Sequence, residues 1–195
     1  MGQTNMKYLV AFLIIILSTV CYSASIMTVG GGSLTYTTDS YWDAGTGSMD
    51  VYATYSMYSQ SFTSGGGILD SVQWKLMKSG SPTGNATARI YAHSGSYGTT
   101  SKPTGSVLAE SGTLDVSTLD GTLTWKTFTF TGANRIVLSA GYYCVIIYYA
   151  GGNSSNKIKV GYDNGAGGHS GVEAYFDTGW TNEAVDLNHY VYVYR

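Results

Sequence analysis

Along most of the chain, apolar and polar residues alternate one by one between short stretches rich in Gly, Ser, Asn and Asp. That is the period of a strand with one face buried and one open. In SVQWKLMK, Val72, Trp74 and Leu76 share one face while Gln73 and Lys75 take the other. The turn SGSPTG follows, where Pro82 fixes a backbone dihedral and Gly80 and Gly84 accept positive ones. In NATARIYAH, Ala86, Ala88, Ile90 and Ala92 alternate with Asn85, Thr87, Arg89, Tyr91 and His93. The small inward alanines leave room for a large partner such as Trp74. Further strands are predicted in LTYTT from Leu34, MDVYATYSMYSQSF from Met49, VLAES near Val107, LTWKTFTF from Leu123, RIVL from Arg135, YYCVIIYY from Tyr142, KIKVGY from Lys157 and HYVYVY from His189. YYCVIIYY is apolar on both faces, so it is expected centrally in a sheet, with cover on each side.

No amphipathic helical pattern follows Ala24, and parallel strands would need crossovers of a dozen or more residues. The expected fold class is therefore all-β: a jelly-roll-like antiparallel β-sandwich of about 8–10 strands. No internal boundary is visible, so residues 24–195 are read as a single domain.

The N-terminus breaks the alternation. Lys7 precedes the apolar run YLVAFLIIILSTV and then Cys21, Tyr22, Ser23 and Ala24, the order of a charged start, an apolar stretch and a small-residue cleavage site. Residues 1–23 are read as a signal peptide, which places the mature protein outside the cell or on its surface. The apolar run is shorter than the roughly 20 residues that span a bilayer, so membrane contact is expected only if this segment stays uncleaved. Cleavage would leave Cys144 as the one cysteine, and its strand context reads as a small buried hydrophobe.

Composition narrows the function. Charged residues are 11% of the chain and the formal net charge is -2, with no basic cluster, so nucleic acid is not an expected partner. His93, His169 and His189 fall in no metal-ligand spacing, and neither a GxSxG elbow nor a phosphate loop is present. The reading is non-enzymatic and without a cofactor; a glycosidase would require two carboxylates flanking one groove. The stretch carrying Asp39, Asp43 and Asp50 is the candidate for a structural calcium, which takes hard oxygen ligands.

The 18 tyrosines and four tryptophans are the positive signal, since flat apolar rings with polar tips suit sugar rings or another protein. Trp42 in DSYWDAGTG and Trp180 in FDTGWTNE lie among turn residues, where binding loops gather, and are candidate ligand contacts. Arg89, Tyr91 and His93 form a second candidate row. Trp74 and Trp125 lie in strands and are read as core. Tyr190, Tyr192 and Tyr194 share one face of the last strand, as a ladder that stabilises cross-strand pairs with or without a ligand.

Several phrases carry a resemblance: Gln60-Ser61-Phe62-Thr63, then GSPTGNATARIYAHSG, KPTGSVLAES, TFTFTG and AGYYCVIIYYAGG. Together they resemble a jelly-roll-like domain of bacterial surface proteins of the choice-of-anchor type and of phage and metagenomic structural proteins. The likeness is close from Gln60 to Gly152 and looser to DLNHYVYVYR. It implies a sandwich without a catalytic motif. The expected function is adhesion or carbohydrate binding, with a polysaccharide or surface glycan as partner. The alternative is a self-associating structural subunit of a virion or an extracellular assembly.

Overall fold

One strand is long enough to serve two layers, and the other described strands are arranged around it. The computed structural model describes residues 33–45, 47–164, 173–176 and 179–195. The expected signal peptide and His169 lie outside them. In chain order the strands are β1 (Tyr36–Trp42), β2 (Gly47–Val51), β3 (Met57–Ser79), β4 (Asn85–Ser94), β5 (Lys102–Glu110), β6 (Leu114–Asp115), β7 (Thr124–Thr129), β8 (Val137–Tyr148), β9 (Lys157–Asp163), β10 (Glu173–Phe176), β11 (Trp180–Asn182), β12 (Asp186–Leu187) and β13 (His189–Tyr194). Among the described residues the only other regular elements are single 3-10 turns at Val116–Thr118 and Gly132–Asn134. Leu34–Arg195 is one compact unit.

The fold is all-β and sandwich-like, as the alternation predicts. In its first half β3 pairs with β8 and β10, β8 pairs with β4, and β4 pairs with β5 and β6. This is the front layer, extended by β11 beside β10. In its second half β3 pairs with β13, β7 and β9, while β1 adds to β13 and β2 and β12 add to β9. This is the back layer. All these pairings are antiparallel. Among the described residues the count of 13 strands exceeds the expectation because two- and three-residue strands such as β6, β11 and β12 carry no periodic signal. Conversely, RIVL and YYCVIIYY are one strand, β8, because Ala140 and Gly141 pair with Gly65 and Ser64 instead of turning.

The change of layer is made at Gly66 and Gly67, whose φ angles are 89° and 132°. A side chain at Gly67 would place its Cβ 2.8 Å from the Tyr194 carbonyl oxygen, so both conformation and space require glycine. The bend is held from outside by Asp39, which accepts hydrogen bonds from Ser64 Oγ at 2.5 Å and Gly65 N at 2.9 Å and pairs with Arg195. Arg195 Nε in turn donates to the Gly66 carbonyl at 2.7 Å.

Between the layers, Val72, Trp74 and Leu76 of β3, Val191 and Val193 of β13, and Phe128 of β7 share one buried core with Ala86, Ala88 and Ile90 of β4 and Val145 and Ile147 of β8. Cys144 and Ile146, on the opposite face of β8, are also fully buried yet outside that core. The cover comes in part from the tip of the β4–β5 hairpin, residues 95–101. Tyr97 stacks on Tyr142 at 4.5 Å and bonds to Thr63, and Thr99 O accepts from Asn182 Nδ2 at 2.9 Å. The central position expected for this segment is therefore observed.

A buried polar joint ties β12 and β13 to the front layer. Gln60 Oε1 accepts from Leu187 N at 2.9 Å and its Nε2 donates to Asp186 Oδ1 at 3.2 Å. His189 Nδ1 lies 2.9 Å from the Leu187 carbonyl and must donate there, while its Nε2 is 3.1 Å from Ser40 Oγ.

Gly67→Ala is expected to lower the urea midpoint at unchanged slope, by about 1–3 kcal/mol of stability for the strained backbone. Gly121→Ala, where an added Cβ meets nothing within 4 Å, should stay within about 0.5 kcal/mol. Equal midpoints for the two variants would show that the bend does not need its glycine.

Candidate functional site

The outer face of the back layer concentrates the aromatic residues. In HYVYVY, His189, Val191 and Val193 are fully buried, so Tyr190, Tyr192 and Tyr194 stand outward. Beside them β1 contributes Tyr36 and Tyr41, which are five residues apart and would fall on opposite faces of a regular strand. The register shift between Thr38 and Ser40 leaves Asp39 as an extra, bulged residue. Tyr36 therefore opposes Tyr194, Tyr41 opposes Tyr190, and both point outward.

The rings form a ladder. Tyr41 stacks on Tyr190 at 5.5 Å, Tyr190 on Tyr192 at 5.8 Å and Tyr192 on Tyr36 at 5.1 Å. With planes within 8–11° of parallel, these centroid separations are those of offset stacking. Tyr41 is 59% and Tyr36 47% exposed. Trp125 of β7 stands edge-on to Tyr190 at 4.8 Å, with Lys75 Nζ over its ring at 5.6 Å. Trp125 is thus half-buried on the open face, a correction to its reading as core, whereas Trp74 is fully buried. The parity of LTWKTFTF carries the signal, because Trp125 alternates with Thr127 and Thr129 against the buried Phe128 and Phe130.

Neutral polar groups lie between the rings. Tyr36 hydroxyl is 3.2 Å from Ser71 Oγ, Tyr192 hydroxyl donates to Gln73 Oε1 at 3.3 Å, and Gln73 Nε2 donates to Thr127 Oγ1 at 3.0 Å. Burial, joined by the nearby Asp43 and Tyr41, raises the Tyr190 phenol above its ordinary range, and burial also raises Tyr192. Both shifts favour the uncharged phenol of Tyr190 and Tyr192.

Of the residues singled out in the sequence, Arg89, Tyr91 and His93 do share a face, the outer side of the front layer. Arg89 bonds Glu110 at 3.0 Å and lies 3.5 Å from the centre of the Tyr148 ring. His93 Nε2 is 2.9 Å from Ser101 Oγ, and its ring packs beside Tyr97 and Tyr142. Trp42 and Trp180 are not brought together. Both are half-buried, Trp42 in the back layer on the inward side with Ser40 and His189, Trp180 at the start of β11 in the front layer.

The three aspartates do not converge either. Asp39 clamps the β3 bend, Asp43 pairs with Lys75 at 3.1 Å, and Asp50 pairs with Lys157 at 2.5 Å and Lys159 at 3.1 Å. Burial raises the Asp50 carboxyl, but the two lysines outweigh it and the net shift is downward. Among the described residues no three His, Cys, Asp or Glu side chains gather as a metal set. Asp39, Asp43 and Asp50, the candidate calcium ligands, are therefore not gathered into one site, and each is paired with a cation of its own. Cys144 is no nucleophile at neutral pH, because desolvation pushes its thiol up to about 12 against a lowering bond from Ser59. The chain matches no family model, no curated protein and no solved structure.

Desolvation holds His93 below its ordinary value of 6.5. Above that value the ring is neutral folded or unfolded and nothing is lost. As pH falls through 6.5 toward the lower folded value, the unfolded chain takes up the proton first and stability declines. The melting temperature should therefore fall as pH drops below about 6.5 in the native protein and fall less in His93→Gln. Parallel curves for the two proteins would rule out this contribution.

Proposed function

We propose that the protein is a non-catalytic module, secreted or displayed at the cell surface, that binds carbohydrate through the tyrosine ladder of the back layer. The observation that carries this reading is an exposed, ordered aromatic strip with neutral hydrogen-bonding groups between its rings. The C–H faces of a sugar ring carry the partial positive charge that the face of an aromatic ring attracts, and sugar hydroxyls match the phenol, amide and hydroxyl groups of Tyr192, Gln73 and Thr127. The resemblance to bacterial surface domains supports the same reading, as does the signal-like N-terminus.

The alternative, a structural subunit of a virion or extracellular assembly, draws on the edge strand β5. Its pairing with β4 is interrupted between Ile90 and Ala92, and the looped-out segment exposes Val107 and Leu108. Sedimentation as an oligomer or filament would favour that reading, and a monomer at high concentration would count against it.

Binding is tested by retention on a panel of immobilised polysaccharides. Tyr41→Ala, at the most exposed ring, is expected to weaken retention about tenfold, equivalent to about 1.4 kcal/mol, with the melting temperature nearly unchanged. A native protein that no polysaccharide retains, or a Tyr41→Ala variant retained as well as the native one, would end this reading.

A further inference from the structure

Resting on the carbohydrate-binding reading, we infer that the ladder selects an uncharged, extended polysaccharide and contacts an internal stretch of it. The strip runs along β13 and is bounded at each end by a paired charge. At the Tyr194 end Arg135 pairs with Asp70 at 3.3 Å and lies 5.0 Å from the Tyr194 ring. At the Tyr190 end Lys75 pairs with Asp43 at 3.1 Å and lies over Trp125. Each cation is engaged by both a carboxylate and a ring. A uronate or sulfate on the ligand would find no unpaired cation at either boundary, and would approach Asp43 and Asp70 at a repulsive cost.

An excess of positive charge lies farther along the same sheet face. There Lys157 and Lys159 share Asp50, opposite Ser79 and Met77 and beyond the Lys75–Asp43 pair. The ladder itself therefore has to bind through ring faces and neutral hydrogen bonds alone.

The length of the strip makes the second point. Along β13 the Tyr190 and Tyr192 rings are 5.8 Å apart, Tyr36 opposite Tyr194 carries the row on at 5.1 Å from Tyr192, and Tyr41 widens it beside Tyr190, so the contact extends beyond one monosaccharide. An open sheet face has no wall to enclose a chain end, so it suits successive units in the middle of a chain.

The full-length protein is to be run in affinity gels containing hydroxyethylcellulose, galactomannan or polygalacturonate, at about 0.05 M and 0.5 M salt, on either side of the concentration where the screening length is about 10 Å. The expected result is retardation by at least one neutral polymer, changing less than about twofold with salt and lost in Tyr41→Ala, with none by polygalacturonate. Asp43→Asn, which releases Lys75, should gain salt-sensitive retardation by polygalacturonate; melting curves confirm that each variant is folded.

Retardation by polygalacturonate that exceeds both neutral polymers and collapses in high salt would overturn the selectivity. If Tyr41→Ala also abolished that retardation, the carbohydrate-binding reading would survive. Retardation by neither class, or self-association that Tyr41→Ala removes, would overturn both.

Discussion

The structure depends on the bend in β3. A single strand of 23 residues contributes to both layers, so every neighbour of β3 inherits its position from the angle set at Gly66 and Gly67. The backbone there occupies a region closed to ordinary L-residues, and the chain stabilises it with contacts from opposite ends of the sequence. Asp39 bonds the amide of Gly65 while Arg195 bonds the carbonyl of Gly66, so β1 and the C-terminal residue are locked to the bend. A strand shared between layers also makes their packing cooperative, because neither layer can shift without moving the other.

The second constraint is the buried polar joint. Amide and imidazole groups removed from water are costly unless paired, and pairing them specifies one geometry where apolar packing would accept several. Gln60 meets both Asp186 and the backbone of Leu187, and His189 meets Ser40 and the Leu187 carbonyl. These contacts fix the phase of β13 against β3. Once that phase is fixed, Val191 and Val193 enter the core and the tyrosines between them must face outward.

The ladder is thus a consequence of core packing joined to two bulges. Asp39 is looped out of β1, and the register of β13 against β3 shifts between Tyr192 and Val193, where Asp70 is the extra residue. Both bulged aspartates pair with arginines, Arg195 and Arg135. The Asp39 bulge aligns the rings, and both bulged aspartates supply paired charges toward the Tyr36 and Tyr194 end of the strip.

How much of this was legible follows from what is local. Side-chain direction within an unbroken strand has period two, so alternation alone determined the all-β class, the inward alanines of β4, the outward row of Arg89, Tyr91 and His93, and the shared face of Tyr190, Tyr192 and Tyr194. Trp125 was equally legible from its threonine neighbours. The partnership of Tyr36 and Tyr41 was not, because their spacing is wrong for one face until Asp39 is looped out, and a bulge is a property of pairing with a second strand. The same holds for Trp42, whose turn-rich surroundings point outward while its register with His189 turns it in. Asp39, Asp43 and Asp50 are close in sequence but were separated by tertiary structure, which gave each its own partner: Arg195, Lys75, and Lys157 with Lys159. Tertiary structure alone decided which face stays open and which charges cancel, because both depend on contacts between residues far apart in the chain, and alternation records only the direction of neighbours.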